Sequence, residues 1–449
     1  MKAAFLIAAP MSGSGKTTIA RGLMALFVRQ GLRVQPFKCG PDYIDTKFHH
    51  AVCRRPSINL DTFMATEEHV LELFSRYTRG GNDAPAWARE PADVAVVEGM
   101  MGLFDGYDRA SGSCADIAHV LDLPIVLVVD ARSAAYSMAA MLRGFISFRP
   151  DLRFTGVIFN KVGSTRHAAM LRDVADEVGI ECLGCIPKQT ALEHASRYLG
   201  LDFSESLAAD TLTDVLSQNI DTNRLQELCV RSQSPSWPAP AHITDAARRI
   251  LVARNAESFS FIYQETLDLL SETADVEFFD PEAFENDELR MTNDESDTLL
   301  YLPGGYPEKH LAELVKAEQT RHAIRAFAEA GGRIIAECGG MMYLCREIIT
   351  DEGSSPMCGV LPYAISARSA DRRLALGYRC FQLCGRELRG HEFHYTKFAE
   401  PAPTSIAQVC NAKGEPVSTP IIRQGNVLAS YTHLAPESLR AILDILLKH

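Results

Sequence analysis

The sequence predicts an α/β protein made of two doubly wound domains, and three observations carry this. Residues 3–8 are an apolar run that leads through a glycine-rich loop into a helical repeat, with Ile19, Leu23, Leu26 and Phe27 on one face and Gly31 at its end. Short apolar runs then alternate with amphipathic stretches along both halves of the chain, the pattern of a parallel sheet covered by helices. Between the halves, residues 232–243 hold Pro235, Pro238 and Pro240 and read as a linker. The expected organisation is residues 1–231, a linker at 232–243, and residues 244–449. A length of 449 residues agrees, being more than one ordinary core accommodates.

The first loop reads Ala8-Ala9-Pro10-Met11-Ser12-Gly13-Ser14-Gly15-Lys16-Thr17-Thr18. Strand, glycine-rich loop, then Gly-Lys-Thr at a helix start is the context of a phosphate-binding loop. Small residues from Ser12 to Gly15 let successive backbone N–H groups curl around phosphate oxygens, and the helix start at Lys16, Thr17 and Thr18 adds partial positive charge. Lys16 would reach the β- and γ-phosphates of ATP, and the Thr17 hydroxyl would hold Mg²⁺. The full pattern has Gly six residues before the lysine, where this chain has Pro10.

Residues 32–38 alternate as a second strand and run into Cys39-Gly40-Pro41-Asp42-Tyr43-Ile44-Asp45, a turn dense in functional side chains. Residues 67–77 read as helix, 80–85 as loop, and 94–97 as a buried strand ending in Glu98-Gly99. An acid at the carboxyl end of a strand beside a phosphate loop is the expected place for a Mg²⁺ ligand. Residues 100–106 are a loop; 124–130 and 154–159 are strands, the second ending in Asn160-Lys161, a pair expected near the nucleotide base. Ligands of such sheets gather at the carboxyl ends of the strands, where all these residues fall.

In the second half, strands are expected at 250–253, 276–279 and 298–302, with helices at 259–270 and 312–330. The third strand runs into Pro303-Gly304-Gly305-Tyr306-Pro307-Glu308. Residues 333–336 lead into Glu337-Cys338-Gly339-Gly340-Met341: a strand, a sharp turn carrying a thiol, then a helix, as in a nucleophile elbow. The helix start should lower the thiol pKa, and the following N–H groups should form an oxyanion hole. His433, at the end of a strand within 425–434, is the candidate base.

Net charge is −12 with no long basic run, so nucleic acid is excluded as an expected partner, and anionic ligands need local positive sites. The apolar stretches fall short of a membrane span and the N-terminus has no secretory pattern, so a cytoplasmic protein with 12 reduced cysteines is expected. Cys182-x-x-Cys185 has no second pair at zinc spacing and reads as packing. His391-Glu392-Phe393-His394 lacks the i, i+4 spacing of zinc peptidases and reads as non-metal.

The segments Ser-Gly-Ser-Gly-Lys-Thr-Thr, Lys-Cys-Gly-Pro-Asp-Tyr-Ile-Asp, Val-Glu-Gly-Met-Met-Gly-Leu-Phe-Asp-Gly, Pro-Gly-Gly-Tyr-Pro-Glu, Glu-Cys-Gly-Gly-Met and Gly-His-Glu-Phe-His-Tyr occur in the order found in cobyrinate a,c-diamide synthases. Over almost its whole length the chain resembles these cobalamin-pathway amidases. The resemblance implies a P-loop NTPase-type domain similar to dethiobiotin synthetase, then a class I-like glutamine amidotransferase domain. It implies that Cys338 attacks the glutamine amide with His433 as base, in a site to which Gly304, Gly305 and Gly339 belong. The ammonia released would amidate the a- and c-acetates of cobyrinic acid after ATP phosphorylates them. Lys16 and Lys38 would offset the charge at that centre, and Asp42, Asp45, Glu98 and Asp105 would lie around it, as Mg²⁺ ligands or holding the intermediate. Tyr43 and Ile44 are expected to press on the ring. A homodimer is compatible with the resemblance.

Most class I amidotransferases carry Glu two residues after the histidine; here that position is Ala435, and Glu437 is displaced, leaving a Cys-His dyad. The same chemistry on hydrogenobyrinate or nickel-sirohydrochlorin is not excluded by the residues. A partition-type ATPase switch is a more distant alternative, lacking here its signature lysine at Met11.

Overall fold

A computed structural model describes residues 1–82, 84–188, 206–230, 249–284, 298–399 and 401–447. The chain divides into two compact units, Met1–Ala239 and Pro240–His449. The proline-rich stretch at 232–243 lies outside the described residues.

The first unit is organised on strands β1 (Ala3–Ala8), β2 (Val34–Cys39), β3 (Ile58–Leu60), β4 (Val94–Glu98), β5 (Ile125–Asp130), β6 (Phe154–Val162) and β7 (Glu181–Pro187). They form one sheet in the order β3-β2-β4-β1-β5-β6-β7, parallel throughout. Every residue of β1, β2 and β4 is buried, the signature of strands covered on both faces. Helix α1 (Lys16–Arg29) follows β1 and buries Ile19, Leu23, Leu26 and Phe27 against the sheet. The helix α2 (Asp45–Cys53) and strand β3 were not among the expected elements; the segment expected only as a turn becomes helical at Asp45.

The second unit holds strands β8 (Arg249–Ala253), β9 (Asp275–Phe279), β10 (Thr298–Leu302), β11 (Arg333–Glu337), β12 (Glu347–Thr350), β13 (Gly353–Pro356), β14 (Ala364–Ser366), β15 (Ala375–Leu383), β16 (Arg386–His394), β17 (Lys397–Phe398), β18 (Val409–Cys410), β19 (Ile421–Gln424), β20 (Val427–Ser430) and β21 (His433–Leu434). Its central sheet runs β19-β20-β11-β10-β8-β9, parallel except for the edge strand β19. Two four-stranded sheets, β13-β12-β14-β17 and β18-β15-β16-β21, complete the unit.

Three expectations here need correction. The helix foreseen at 259–270 begins only at Gln264, because Phe261 bridges to Gly304 and holds the preceding chain extended. The helix foreseen at 312–330 is two helices, Leu311–Lys316 and Glu318–Glu329, broken where Ala317 leaves helical geometry. His433 does not end the preceding strand: β20 stops at Ser430, and His433 pairs instead with His391 on β16.

Candidate active sites

In the first unit, strand register assembles the polar residues. Lys38 on β2 lies directly opposite Glu98 on β4, and Glu98 is opposite Ile7 on β1, just before the loop. Cross-strand partners project to one face, so the Lys38 ammonium meets Glu98 Oε1 at 2.8 Å and Asp45 Oδ2 at 2.5 Å. Thr17, in the first turn of α1, donates its hydroxyl to the same Glu98 Oε1 at 2.6 Å. His49 Nε2 closes the other Glu98 oxygen at 2.6 Å, and its Nδ1 meets Ser57 Oγ at 3.0 Å. His49 was not foreseen. It stands four residues after Asp45 and therefore on the same face of α2, a signal that becomes readable once the helix is placed.

Burial would push Glu98 toward its neutral form, but Lys38 and the bond from His49 hold it well below the usual carboxylate range. Burial works against the Lys38 ammonium as well, and Glu98, Asp45 and Asp42 more than reverse it, so its pKa lies well above the ordinary lysine value. Asp45 is raised to about 7, by burial and then by the Glu98 charge, against the pull of Lys38. Burial, with Lys38 adding to it, lowers Lys16, whose ammonium donates to the Met101 carbonyl.

The loop is braced from below. Gly15 has φ 98°, and a Cβ there would meet Asn160 Nδ2 at 2.2 Å. Asn160 donates to the Ser14 carbonyl at 2.9 Å, and Lys161 to the Gly13 carbonyl at 3.2 Å and to Asp130 at 2.8 Å. The pair expected near a nucleotide base is thus tied to the loop carbonyls. Ser12 and Gly13 are exposed at its crest, while Thr18 is half-buried on α1.

Other expected residues lie at the edge of the Lys38 cluster or outside it. Asp42 is a local cap: its Oδ1 accepts from the Ile44 and Asp45 N–H groups at 2.8 and 2.9 Å, with its other oxygen 3.8 Å from Lys38. Tyr43 is buried and Ile44 half-exposed. Asp105 is exposed, and its carboxylate accepts from the Gly102 N–H at 3.0 Å within its own loop.

In the second unit, β11 delivers Cys338 at φ 45°, ψ −105°, a strained geometry for a non-glycine residue and the mark of a nucleophile elbow. Cys338 N–H is held by the Ser430 carbonyl at 2.7 Å, at the end of the neighbouring strand β20. Three residues farther on, His433 packs against the turn after β10. A Cβ on Gly304 would lie 2.2 Å from the His433 ring, and one on Gly339 would lie 2.8 Å from the Gly305 nitrogen. A Cβ on Gly305 would meet the Ser258 carbonyl at 2.1 Å, so all three glycines are required by close approach, and Gly304 and Gly339 bring the thiol turn, the histidine and the Pro-Gly-Gly turn to one place.

Groups unmarked by sequence spacing surround His433. His391 stacks on it with ring centroids 5.0 Å apart and meets the Tyr263 hydroxyl through Nδ1 at 3.0 Å. His394 lies flat on Tyr431 at 3.7 Å, and Glu392 pairs with Arg379 at 2.8 Å. The His-Glu-Phe-His segment therefore lines this site. Burial first, then the charges of His391 and His394, push His433 well below its ordinary pKa, so it is a neutral base at physiological pH. The expected lowering of the Cys338 thiol is corrected. Burial, then Glu308 and Glu392, push it well up, against the pull of the Gly339 N–H at the start of the following helix.

Comparison with known proteins agrees with this division. Residues 5–199 match the CobQ/CobB/MinD/ParA nucleotide binding domain, and residues 249–440 match the CobB/CobQ-like glutamine amidotransferase domain. Hydrogenobyrinate a,c-diamide synthase of Brucella abortus is 38% identical, over 96% of this chain and 98% of its own. The enzymes so named from Stutzerimonas stutzeri (39%, over 96% and 95%) and Rhodobacter capsulatus (37%, over 95% and 97%) align equally fully. The chain belongs to the cobalamin-pathway a,c-diamide synthases. It is an ATP-dependent amidating ligase with a nucleotide-binding and a glutamine amidotransferase domain. Among the described residues no helix is long and apolar enough to cross a membrane.

Proposed function

We propose that the protein amidates the a- and c-acetate carboxylates of a hydrogenobyrinate-type ring, using ammonia released from glutamine at Cys338. The observation that carries this reading is the strained Cys338 turn with His433 seated against Gly304. The names of the relatives support the metal-free ring; cobyrinic acid, its cobalt-containing counterpart, is the substrate implied by the sequence resemblance.

In residues 244–449, Cys338 passes its proton to His433 and attacks the glutamine carbonyl carbon, with backbone N–H groups of the glycine turns facing the developing oxyanion. His433 returns the proton to the leaving nitrogen, ammonia departs, and water hydrolyses the γ-glutamyl thioester to glutamate.

In residues 1–231, a ring carboxylate oxygen attacks the γ-phosphorus of ATP and ADP leaves. Ammonia then attacks the acyl phosphate carbon and inorganic phosphate leaves, giving the amide. Lys16 and Lys38 stabilise the charge that gathers between two anions. The Thr17 hydroxyl and Glu98 carboxylate, 2.6 Å apart, are hard oxygens that suit Mg²⁺, with Asp45 close by on Lys38. Bound there, Mg²⁺ would neutralise phosphate charge. Asp45, at about 7, stands near its ionisation midpoint at neutral pH and so can follow the charge state of what binds beside Lys38.

The test is a mass-resolved time course with ATP, Mg²⁺ and glutamine, run in parallel on hydrogenobyrinic and cobyrinic acids. Two successive replacements of hydroxyl by amino on the metal-free ring are expected. Turnover of cobyrinic acid alone would reassign the substrate, and no amidation of either would overturn the reading.

A further inference from the structure

The dyad lacks an acid where class I amidotransferases place one, at Ala435. We propose that Glu337, the residue before the nucleophile, supplies that acid from the opposite side and positions His433 during thiol deprotonation. This rests on the glutaminase reading of Cys338.

The geometry follows from two neighbouring parallel strands. Glu337 is the last residue of β11 and is paired in register with Ser430, the last residue of β20. The chain beyond Ser430 turns back over the end of β11, placing His433 Nδ1 4.0 Å from Glu337 Oε2. The other oxygen, Oε1, accepts from the Leu434 N–H at 3.2 Å, so the carboxyl group is anchored to the residue that follows the histidine. Glu337 is 3% exposed. The Tyr301 hydroxyl on β10 also donates to it, and Cys338 adjoins it in sequence. Glu392 also favours a cation at His433, but its carboxylate is paired with Arg379 at 2.8 Å.

At 4.0 Å the contact is loose while His433 is neutral. When His433 takes the thiol proton it becomes a cation, and a carboxylate on its Nδ1 side is then drawn into a charge-assisted hydrogen bond. That bond fixes the ring with Nε2 directed away from Glu337 and stabilises the thiolate–imidazolium pair. Burial raises Glu337 to about 8, so its carboxylate forms as the medium passes from neutral to mildly alkaline. Glu337 acts through His433, and is a positioning residue.

Glu337→Gln retains the shape and an acceptor for Leu434 but not the charge. Glutamine hydrolysis should fall roughly 100-fold in kcat, the lower end of what a positioned proton-transfer group contributes. KM for glutamine should change less than about two-fold, since the residue makes no substrate contact. Ammonia-dependent amidation should stay at the wild-type rate. Wild-type glutaminase should rise with pH through about 8 and the variant should show no such rise. Wild-type kinetics in Glu337→Gln, where a purely structural role is preserved, would overturn the inference. Should the variant not fold, alkylation of wild-type Cys338 by a glutamine-shaped electrophile decides: its rate must rise through the same pH, and a flat profile from pH 6.5 to about 9 refutes the role. Cys338→Ala is assayed alongside. If it keeps glutamine-dependent synthesis, the glutaminase reading itself fails; if it loses it while Glu337→Gln is unaffected, only the Glu337 inference fails.

Discussion

Both units bury titratable groups, and they reach opposite charge states. In the first, Lys38, Glu98 and Asp45 sit within hydrogen-bond distance, and attraction defeats desolvation: the buried Glu98 stays a carboxylate and Lys38 an ammonium. In the second, among the described residues no cation faces Glu337, Cys338 or His433 as closely, so burial wins and all three rest neutral. The difference suits the two chemistries. Phosphoryl transfer needs standing charge to meet an anion. A thiol attack needs charge only when the proton moves, and a neutral resting site avoids exposing a thiolate to other electrophiles.

The largest expected effect tests the charged site. Lys16→Ala should reduce amidation with either nitrogen source by about 1,000-fold or more, as removal of a cation facing transferring phosphate does. Turnover near wild type in that variant would show that the loop does not bind the reacting phosphates.

Next, Cys338→Ala should lose glutamine-dependent synthesis by about 1,000-fold or more while ammonia-dependent synthesis stays within about two-fold. Failure of ammonia to rescue it would mean that the neutral site is needed for more than nitrogen supply.

Replacing the cation of the charged cluster, Lys38→Met, leaves Glu98 and Asp45 without their common partner. A loss of about 3–5 kcal/mol in unfolding free energy is expected for a buried pair broken on one side. An unchanged denaturation midpoint would show that His49 and Thr17 suffice to hold Glu98.

The pH dependence of stability separates the sites further. Glu337 keeps its proton to about 8 when folded but releases it near 4.5 when unfolded. The folded state therefore binds more protons in that window, and stability falls as pH rises through it, by at most about 1.4 kcal/mol per pH unit. Glu98 has the opposite sign, since its lowered pKa contributes stability above 4.5 that is lost on acidification. Thermal melts of the full chain from pH 5 to about 8.5 should thus show a shallower alkaline decline in Glu337→Gln than in wild type. Parallel declines would place the Glu337 ionisation elsewhere.

The smallest effect concerns Ile44, the half-exposed member of its loop. Ile44→Ala should alter the ratio of mono- to diamide by about 10-fold or less, the scale of apolar discrimination. An unchanged ratio, with only the rate altered, would remove the loop from ring selection.

Local chemistry made much of this legible. The apolar runs of β1, β4 and β5 can only be buried parallel strands, and Gly-Lys-Thr after β1 and Cys-Gly-Gly after β11 mark their turns by residue type alone. Such signals lie within a few residues of one another, where backbone sterics and helix geometry act.

What only the tertiary structure decided depends on register and crossing. That Lys38 faces Glu98 is set by the pairing of β2 with β4, sixty positions apart. His49 reaches Glu98 because α2 returns across that sheet. The thiol was expected to be acidic from the helix that follows it; its burial, a property of the whole unit, reversed the sign. The acid missing at 435 could be sought in sequence only near His433, whereas Glu337 reaches it across adjacent strands, ninety-seven positions from Leu434. Sequence fixes which groups are present and how each short stretch bends, but electrostatic energies depend on separations in space, and those exist only once the sheet is paired.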